Sequence, residues 1–292
     1  MGIEKWLRLN TSELTSKTVA VTGTTGGLGC ELCMYLARLG AKLVMLDRNR
    51  QKAQALENEL KSAYPNTEIH RIAVDLEDID SVKAATEDLK QLPIDVFIHN
   101  AGAYSIPRRT CKTGLDNVFQ INFASPYYMI KELLPQLRTV KGTVVAVGSI
   151  AHNYSKTDPE DIDFATHKAA SKVYGNAKRY LMFSLFELFE NETVAKLSIV
   201  HPGITFTNIT AHYPKPVFAV IKYPMKIIFM KPKRAALSIL KGVFETTGYH
   251  TWTGPRWFNI WGLPSRKRLK TCSLEESKRI FTAAEEIYGE MN

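Results

Sequence analysis

TVAVTGTTGGLGCELCMYLAR, residues 18–38, joins an apolar run, a turn with four glycines and an amphipathic stretch. Gly23 permits a tight turn, Gly27 lets the backbone approach a phosphate, and Gly29 lets a helix pack closely on the strand. The helix that begins here offers free N–H groups and positive dipole to an anion. This stretch predicts a strand–turn–helix unit that binds a pyrophosphate, with a purely structural turn as the alternative.

The rest of the chain continues the alternation of apolar runs and helix-like stretches. Runs rich in Val, Ile and Leu predict strands buried on both faces, and their alternation with helices predicts a parallel sheet. Strands are expected at residues 18–22, 42–46, 68–74, 95–99, 142–149 and 196–202, and a long helix at 166–190. We expect one α/β domain over 1–292, a Rossmann-type doubly wound parallel sheet with helices on both faces.

Two features are expected towards the carboxyl end. A substrate lid at about 205–232 should lie between the sixth strand and the next helix. The sequence SLEE, Ser273 to Glu276, is a capping box that predicts a last helix over about 274–288.

The composition indicates a globular protein with basic character. The chain has 292 residues, 45% of them hydrophobic and 23% charged, with a formal net charge of +9. Basic residues cluster at 231–234 and 266–270, but without the interleaved aromatics of nucleic-acid proteins. We interpret most of these charges as a solvated face and expect no nucleic-acid partner.

Neither cysteines nor apolar runs indicate a metal centre or a membrane span. Cys30 and Cys33 form a CxxC on the predicted helix, no second pair accompanies it, and no metal is expected. The N-terminus lacks the apolar core of a signal peptide, and no run of 18 apolar residues occurs. We expect a cytoplasmic protein, with peripheral membrane contact through the apolar segment 216–230 as an open alternative.

The second predicted strand ends at Asp47, eighteen residues after Gly29. A carboxylate at this distance can accept hydrogen bonds from an adenosine ribose and repel a 2′-phosphate. Arg48 argues the other way, because a guanidinium can pair with that phosphate. We favour NAD(H) as the cofactor and keep NADP(H) as the alternative. A third possibility is that Asp47 and Arg48 only face solvent and bind no cofactor.

Tyr174 and Lys178 occur in YGNAK, and their spacing places both on one helix face. A nearby ammonium and a positive nicotinamide would both lower the pKa of the phenol, which could then exchange a proton with an alcohol. Ser149 ends a predicted strand, where its hydroxyl could bind a substrate oxygen. Asn122 lies on a helix between the fourth and fifth strands. Each of these residues alone can be explained by a surface helix, a turn or a helix cap, and only their order along the chain indicates an active site.

These motifs together resemble the short-chain dehydrogenase/reductase family over about residues 14–250. The resemblance rests on TGxxxGxG at Gly23, HNAG at 99–102 with His99 in place of an asparagine, and the PG-x-x-x-T loop from Pro202 to Thr207. It implies a catalytic tetrad of Asn122, Ser149, Tyr174 and Lys178. It implies dinucleotide contacts from Gly23, Thr25, Gly26, Gly27, Leu28, Gly29, Asp47, Arg48, Asp75, Leu76, Asn100, Ala101, Gly102, Tyr174, Lys178, Pro202, Gly203, Thr205 and Thr207.

A subgroup is indicated by SIAH after Ser149 and by GPRWFNIWGLP at 254–264, which resemble retinol-dehydrogenase-like members. The resemblance implies a lipophilic secondary alcohol or ketone, such as a steroid or retinoid, as the small-molecule substrate. A C=C reductase and a non-catalytic dinucleotide-sensing protein are the alternatives. The family often forms homodimers or homotetramers through the helices that here carry Asn122 and Tyr174, and the sequence leaves the oligomeric state open.

Overall fold

A computed structural model describes residues 1–205 and 229–292. Its eight strands form one sheet in the order β3-β2-β1-β4-β5-β6-β7-β8. The strands are β1 Thr18–Thr22, β2 Lys42–Asp47, β3 Ile69–Ala73, β4 Val96–His99, β5 Thr143–Val147, β6 Lys196–Val200, β7 Thr251–Trp257 and β8 Trp261–Arg268. Every neighbouring pair is parallel except β7 and β8, which are antiparallel. The predicted doubly wound parallel sheet is confirmed, with its order reversing between β1 and β4, where such sheets bind ligands.

Helices cover both faces of the sheet. They are α1 Ile3–Asn10, α2 Gly27–Arg38, α3 Arg50–Ala63, α4 Ile79–Lys90, α5 Asn117–Phe119, α6 Ser125–Thr139, α7 Ala170–Leu188, α8 Pro232–Phe244 and α9 Leu274–Met291. A π-helical turn, Gln120–Ala124, joins α5 to α6, and a 3₁₀ turn, Ile150–Asn153, follows β5. None of the helices in the described ranges is long and apolar enough to cross a membrane.

The core consists of two apolar layers, one on each side of the sheet. Along β4, Phe97 packs into the layer formed with α4, α6 and α7, and Ile98 packs into the layer formed with α1, α2 and α8. This alternation follows from the two-residue repeat of a strand and explains why β1 is buried along its whole length. The rigid centre of the sheet fixes the positions of the loops at its carboxyl edge.

Three features differ from the sequence prediction. The hairpin of β7 and β8 was not predicted as strands, because Pro255 and Pro264 are unusual in sheets except at edges and irregularities. The register shifts between Pro255 and Trp257, and β8 is the sheet edge. The long helix runs over 170–188 and the last one over 274–291. Most of the predicted lid, 206–228, lies outside the described residues.

The predicted capping box forms only in half. The Ser273 hydroxyl accepts a hydrogen bond from the Glu276 amide at 3.1 Å, as a cap requires. The Glu276 carboxylate binds the Arg179 guanidinium in α7 through two contacts, 2.8 Å and 2.7 Å. Since Arg179 is buried, this ion pair ties the last helix to the helix that carries Tyr174.

Candidate active site at the carboxyl edge of the sheet

The glycine turn between β1 and α2 leaves no room for side chains. Gly23 has a φ of +70°, and a Cβ atom there would lie 2.9 Å from the Ala101 Cα atom. A Cβ atom on Gly29 would lie 2.2 Å from the Gly23 carbonyl oxygen. In the described structure α2 begins after Gly26 with neither a side-chain cap nor an acidic residue in its first turn. Its N–H groups are therefore available to phosphate oxygens, and the residues fit a dinucleotide.

The HNAG segment is fastened to this turn by Thr22. The Thr22 hydroxyl accepts hydrogen bonds from the amides of Asn100 and Ala101, both at 3.1 Å. The Asn100 side chain donates to the carbonyl oxygens of Thr22 and Gly23, at 3.1 Å and 3.0 Å. Its Oδ1 atom is buried and has no partner among the residues that the structure describes. A buried acceptor without a donor suits a ligand that brings one.

His99 replaces the first asparagine of the family motif and lies next to Thr22, with its Nδ1 atom 3.2 Å from the Thr22 hydroxyl. Burial, and then the charge of Lys178, hold the pKa of His99 well below its ordinary value. The imidazole is therefore neutral at physiological pH. Because the Thr22 hydroxyl already accepts two amides, its own proton is free to bind His99, which agrees with a structural role for this residue.

Asp47, predicted to meet the adenosine ribose, lines the cleft and also binds the glycine turn. Its Oδ1 atom accepts hydrogen bonds from the amide and the hydroxyl of Thr25, at 3.0 Å and 3.1 Å, and its Oδ2 atom accepts one from Thr24. The carboxylate is buried and holds the glycine turn in shape. Arg48 is largely exposed, with its guanidinium 3.8 Å from the Asp75 carboxylate.

A cleft of about 470 Å³ runs along the ends of the central strands. Every predicted dinucleotide contact from Gly23 to Gly102, together with Tyr174 and Lys178, lines this cleft. Within the described chain, Pro202, Gly203 and Thr205 do not line it, and Thr207 lies outside the described residues. The cleft is also lined by residues that the sequence analysis did not select, namely Thr22, Leu46, Asn49, Lys52, Val74, Ala103, Tyr104, Ile106, Ile121 and Val147.

Ser149, Tyr174 and Lys178 meet where β5 and α7 approach each other. The Ser149 hydroxyl accepts a hydrogen bond from the Ala151 amide at 3.2 Å and forms another with the Tyr174 side chain. Lys178 lies one helical turn after Tyr174, with its Nζ atom 5.7 Å from the phenol ring centre. The ammonium donates to the Val147 carbonyl oxygen at 3.0 Å. Tyr174 and Lys178 therefore line the cleft one helical turn apart, with Ser149 next to the phenol.

Asn122 lies just behind this group, in the π-helical turn. Its amide donates to the carbonyl oxygens of Ala103 and Val118, both at 2.8 Å. A side chain that takes the Val118 carbonyl disturbs the regular helical ladder, which accounts for a π-turn at this point. A Cβ atom on Gly102 would be 2.8 Å from the Asn122 Oδ1 atom and 3.7 Å from the Lys178 Nζ atom. Asn122 and Lys178 thus converge on the same small space.

Burial controls the protonation of the central pair in this structure. Desolvation raises the pKa of Tyr174 to about 12, against a smaller lowering by the hydrogen bond with Ser149. Desolvation also lowers the pKa of Lys178 to about 7. The spacing of the two residues predicts that Lys178 acidifies the phenol, but burial of both groups outweighs that effect here. Tyr174 is therefore a protonated hydroxyl at neutral pH, ready to donate.

We predict that Lys178→Met stabilises the protein while it removes turnover. The folded chain releases the Lys178 proton near pH 7, whereas an unfolded lysine keeps it to about pH 10.4. The cost of burying the charge is therefore complete below pH 7 and declines as pH rises towards 10. By differential scanning fluorimetry, the melting temperature at pH 7 should rise by roughly 3–6 °C, and this gain should shrink towards pH 10.

Lys172→Met is the matched control for that variant, because Lys172 lies exposed on the same helix. Its melting temperature should stay within about 1 °C of the parent at every pH, as for most surface changes. A Lys178→Met protein that melts below the parent at pH 7 would show that the bond to Val147 outweighs the cost of burial.

Two neighbours of the catalytic group were not predicted as site residues: Tyr104 belongs to no motif, and His152 was noted only as part of the SIAH sequence. The Tyr104 ring meets the Tyr174 ring edge to face, with centres 5.4 Å apart. His152 binds the Ser149 carbonyl oxygen at 2.6 Å through Nδ1, and its Nε2 atom lies 2.8 Å from the Thr271 hydroxyl. His152 belongs to the SIAH sequence, and it positions the backbone of Ser149.

The remaining sequence candidates carry no chemistry of their own in the structure. Cys30 and Cys33 lie on α2 as free cysteines, and burial raises the pKa of the Cys33 thiol well above its ordinary value. A buried neutral thiol is a poor nucleophile. Among the described residues no group of three or more His, Cys, Asp or Glu side chains could hold a metal ion.

Comparison with known proteins agrees with this geometry. The sequence model described as short chain dehydrogenase matches residues 17–215. An uncharacterized oxidoreductase of Schizosaccharomyces pombe is 28% identical over 82% of this chain and 76% of its own length. The dehydrogenase/reductase SDR family member FEY of Arabidopsis thaliana is 30% identical over 70% of this chain and 60% of its own length.

A solved structure shares the fold over nearly the whole chain. The crystal structure of a putative uncharacterized protein from Mycobacterium paratuberculosis aligns with a TM-score of 0.77, covers 96% of both chains and is 21% identical. At 21% identity this structural similarity shows only that the fold is shared. Membership of the family is shown by the family model. The chain belongs to the short-chain dehydrogenase family of nicotinamide-dependent oxidoreductases.

Proposed function

We propose that this protein transfers a hydride between a nicotinamide dinucleotide and a lipophilic secondary alcohol or ketone. The observation that carries the proposal is that Tyr174 and Lys178 line the same cleft as the glycine turn, with the Ser149 hydroxyl beside the phenol. Two hydroxyls that meet at one point suit an oxygen atom of the substrate, since each can donate to it. This favours a C–OH or C=O group over a C=C bond.

Each residue has a distinct task in the reductive direction. The dinucleotide, when bound, supplies the hydride to the carbonyl carbon. Tyr174 donates its proton to the carbonyl oxygen as negative charge develops there, and Ser149 donates a hydrogen bond to the same oxygen. Lys178 would bind the ribose of the dinucleotide and return a proton to Tyr174, and Asn122, which lies near Lys178, would help to conduct that proton. In the oxidative direction the same groups act in reverse order.

The proposed substrate is apolar because the walls near Tyr174 are apolar. Tyr104 and Ile106 line the cleft next to the phenol ring. Behind them Val118, Phe164 and Val173 form a small buried cluster that contacts Ile106 and Tyr174. A pocket with such walls and few polar groups gains affinity by burying greasy surface. The apolar residues predicted for the lid lie outside the described residues, apart from Phe229 and Met230.

A panel of carbonyl compounds tests the substrate class. We expect oxidation of NADH or NADPH, followed by absorbance, to be at least about tenfold faster in kcat/KM with hydrophobic cyclic ketones than with small polar sugars. A cofactor deuterated at C4 should leave its label on the carbinol carbon of the product. A label on a carbon next to a carbonyl would identify a C=C reductase, and preference for sugars would reject the apolar substrate.

We also propose that both dinucleotides are accepted, and that Arg48 sets the ratio between them. The sequence favours NAD(H) because of Asp47, but that carboxylate is already engaged by Thr24 and Thr25. Arg48 and Lys52 line the same end of the cleft and can attract a 2′-phosphate. The preference for NAD(H) stays a prediction.

Arg48→Ala should weaken NADPH binding about tenfold, because a charge-assisted hydrogen bond is lost. The Kd for NADH should change less than about twofold, since NADH has no 2′-phosphate. Isothermal titration with both cofactors checks this, and Arg50→Ala serves as a control at a neighbouring exposed arginine. Equal losses for the two cofactors would show that Arg48 contacts a part that they share.

A further inference from the structure

The hairpin of β7 and β8 presents large aromatic side chains at its tip. The side chains of Trp257, Phe258 and Trp261 are 59%, 78% and 40% exposed. They stand within five residues of one another at the edge of the sheet. Exposed hydrophobic residues scattered singly are common, but aromatics grouped on one projecting turn mark an interaction surface.

The tip is held in place and is not a frayed end. The Asn259 carbonyl oxygen lies 3.1 Å from the His201 Nε2 atom, and Lys267 donates to the Asn259 side chain at 2.8 Å and to the Pro255 carbonyl oxygen at 2.7 Å. Phe258 and Asn259 have φ values of +53° and +59°. A positive φ is unfavourable for a bulky residue, so the fold accepts strain to hold the Phe258 ring outward.

The segment around the hairpin is uniformly basic. Residues 246–274 contain five Arg or Lys residues and no Asp or Glu, whereas the whole chain has 29 Asp or Glu residues beside its 38 Lys or Arg residues. Arg256 stacks on Trp257, with its guanidinium 5.5 Å from the ring centre. Arg268 and Lys270 are exposed on and after the edge strand. Exposed Arg256 stands with the aromatic rings at the tip, while Arg268 and Lys270 extend the basic edge to the far end of the hairpin. Aromatic rings at one end of a basic edge match the interface between acyl chains and anionic headgroups when the hairpin lies along it.

We propose that the tip of the β7–β8 hairpin docks on an anionic lipid bilayer, with Trp257 and Phe258 entering the interface and the basic edge contacting headgroups. A second copy of the chain is a poorer partner, because two such faces would bring like charges together. A nucleic acid is also poorer, because the aromatics are grouped at the tip and are not interleaved with the cations.

The hairpin packs against Gly203, just after β6. The Ile260 carbonyl oxygen in the hairpin is 2.8 Å from where a Cβ atom on Gly203 would lie. Docking would therefore bring Gly203 close to the membrane, from which a lipophilic substrate could be drawn. This last step rests on the proposed function, whereas the docking surface does not.

Co-sedimentation of the full chain with vesicles tests the proposal. We expect binding to vesicles of phosphatidylcholine with 30% phosphatidylserine, at least about tenfold tighter than to phosphatidylcholine alone, and weakened by 0.5 M NaCl. The double variant Trp257→Ala/Phe258→Ala should lose at least about tenfold in affinity. Arg268→Gln/Lys270→Gln should lose roughly fivefold or more for each removed charge, only on anionic vesicles.

Leu9→Ala is the matched control, because Leu9 is 66% exposed on α1 and far from the hairpin in sequence. It should leave vesicle binding unchanged. Vesicles with brominated acyl chains give a direct readout, since Trp6 and Trp252 are buried and the exposed tryptophans are both in the hairpin. We expect quenching that Trp257→Phe reduces.

Three outcomes would overturn the docking proposal. They are absence of vesicle binding, equal loss in Leu9→Ala, and a hairpin-dependent dimer in light scattering that binds no vesicles. Tighter binding to a DNA duplex than to anionic vesicles would likewise assign the surface to nucleic acid. Turnover of a water-soluble ketone in the double variant separates this test from the proposed function, because it should stay within about twofold of the parent.

Discussion

Tyr174→Phe should lower kcat by about a thousandfold, because the hydroxyl is the only atom removed and it is the proposed proton donor. The burial that raises its pKa to about 12 keeps the phenol protonated at neutral pH. The ring remains in contact with Tyr104, so packing changes little. The Kd for NADPH, measured by fluorescence titration, should stay within about threefold of the parent, since the glycine turn is untouched.

Tyr154→Phe is the matched control for the loss of one hydroxyl. Tyr154 is 51% exposed and lies in the chain between Ser149 and α7. Its kcat should stay within about twofold of the parent. If Tyr174→Phe kept full turnover, the proton would have to come from another group and the proposed mechanism would be wrong.

Gly29→Ala should be the most damaging small change in the cofactor turn. The added methyl group would lie 2.2 Å from the Gly23 carbonyl oxygen and 2.7 Å from the Thr24 Cα atom, both of them backbone atoms that cannot rotate away. The turn must therefore shift, at a cost of about 3 kcal/mol or more. We expect the melting temperature to fall by roughly 6–12 °C, with loss of detectable NADPH binding.

Gly26→Ala separates steric conflict from a general effect of losing glycine. A Cβ atom at Gly26 would meet the Gly23 carbonyl oxygen at 3.6 Å, which is an ordinary contact, and the φ of −78° suits alanine. Its melting temperature should change by less than about 2 °C. Comparable melting temperatures for the two variants would contradict the proposed close packing of Gly29.

The parts predicted well from sequence are those with local causes. The strand, turn and helix of residues 18–38 are contiguous, and the spacing of Tyr174 and Lys178 follows from one helix. The role of Asp47 depends on where β2 brings its carboxylate relative to Thr24, a contact between distant parts of the chain. The sequence shows how many residues separate Asp47 from Gly29, but it does not show which hydrogen-bond donors the folded chain brings to the carboxylate.

Protonation and the last two strands were also beyond local patterns. The spacing of Tyr174 and Lys178 shows that they are close, but the depth of burial that sets both pKa values comes from the whole fold. The β7–β8 hairpin contains prolines that argue against strands, and only its position at the sheet edge allows them. The pKa values and the hairpin both depend on contacts between residues that are far apart in the sequence.

The ion pair between Arg179 and Glu276 couples the carboxyl end of the polypeptide to the reaction centre. Arg179 directly follows Lys178 in the sequence and also donates to the His152 and Thr271 carbonyl oxygens, at 3.1 Å and 2.6 Å. A polypeptide cut before Ser273 would leave this guanidinium buried without its carboxylate, at a cost of about 3 kcal/mol or more. A polypeptide that still lacks α9 would therefore carry an uncompensated buried charge beside Lys178.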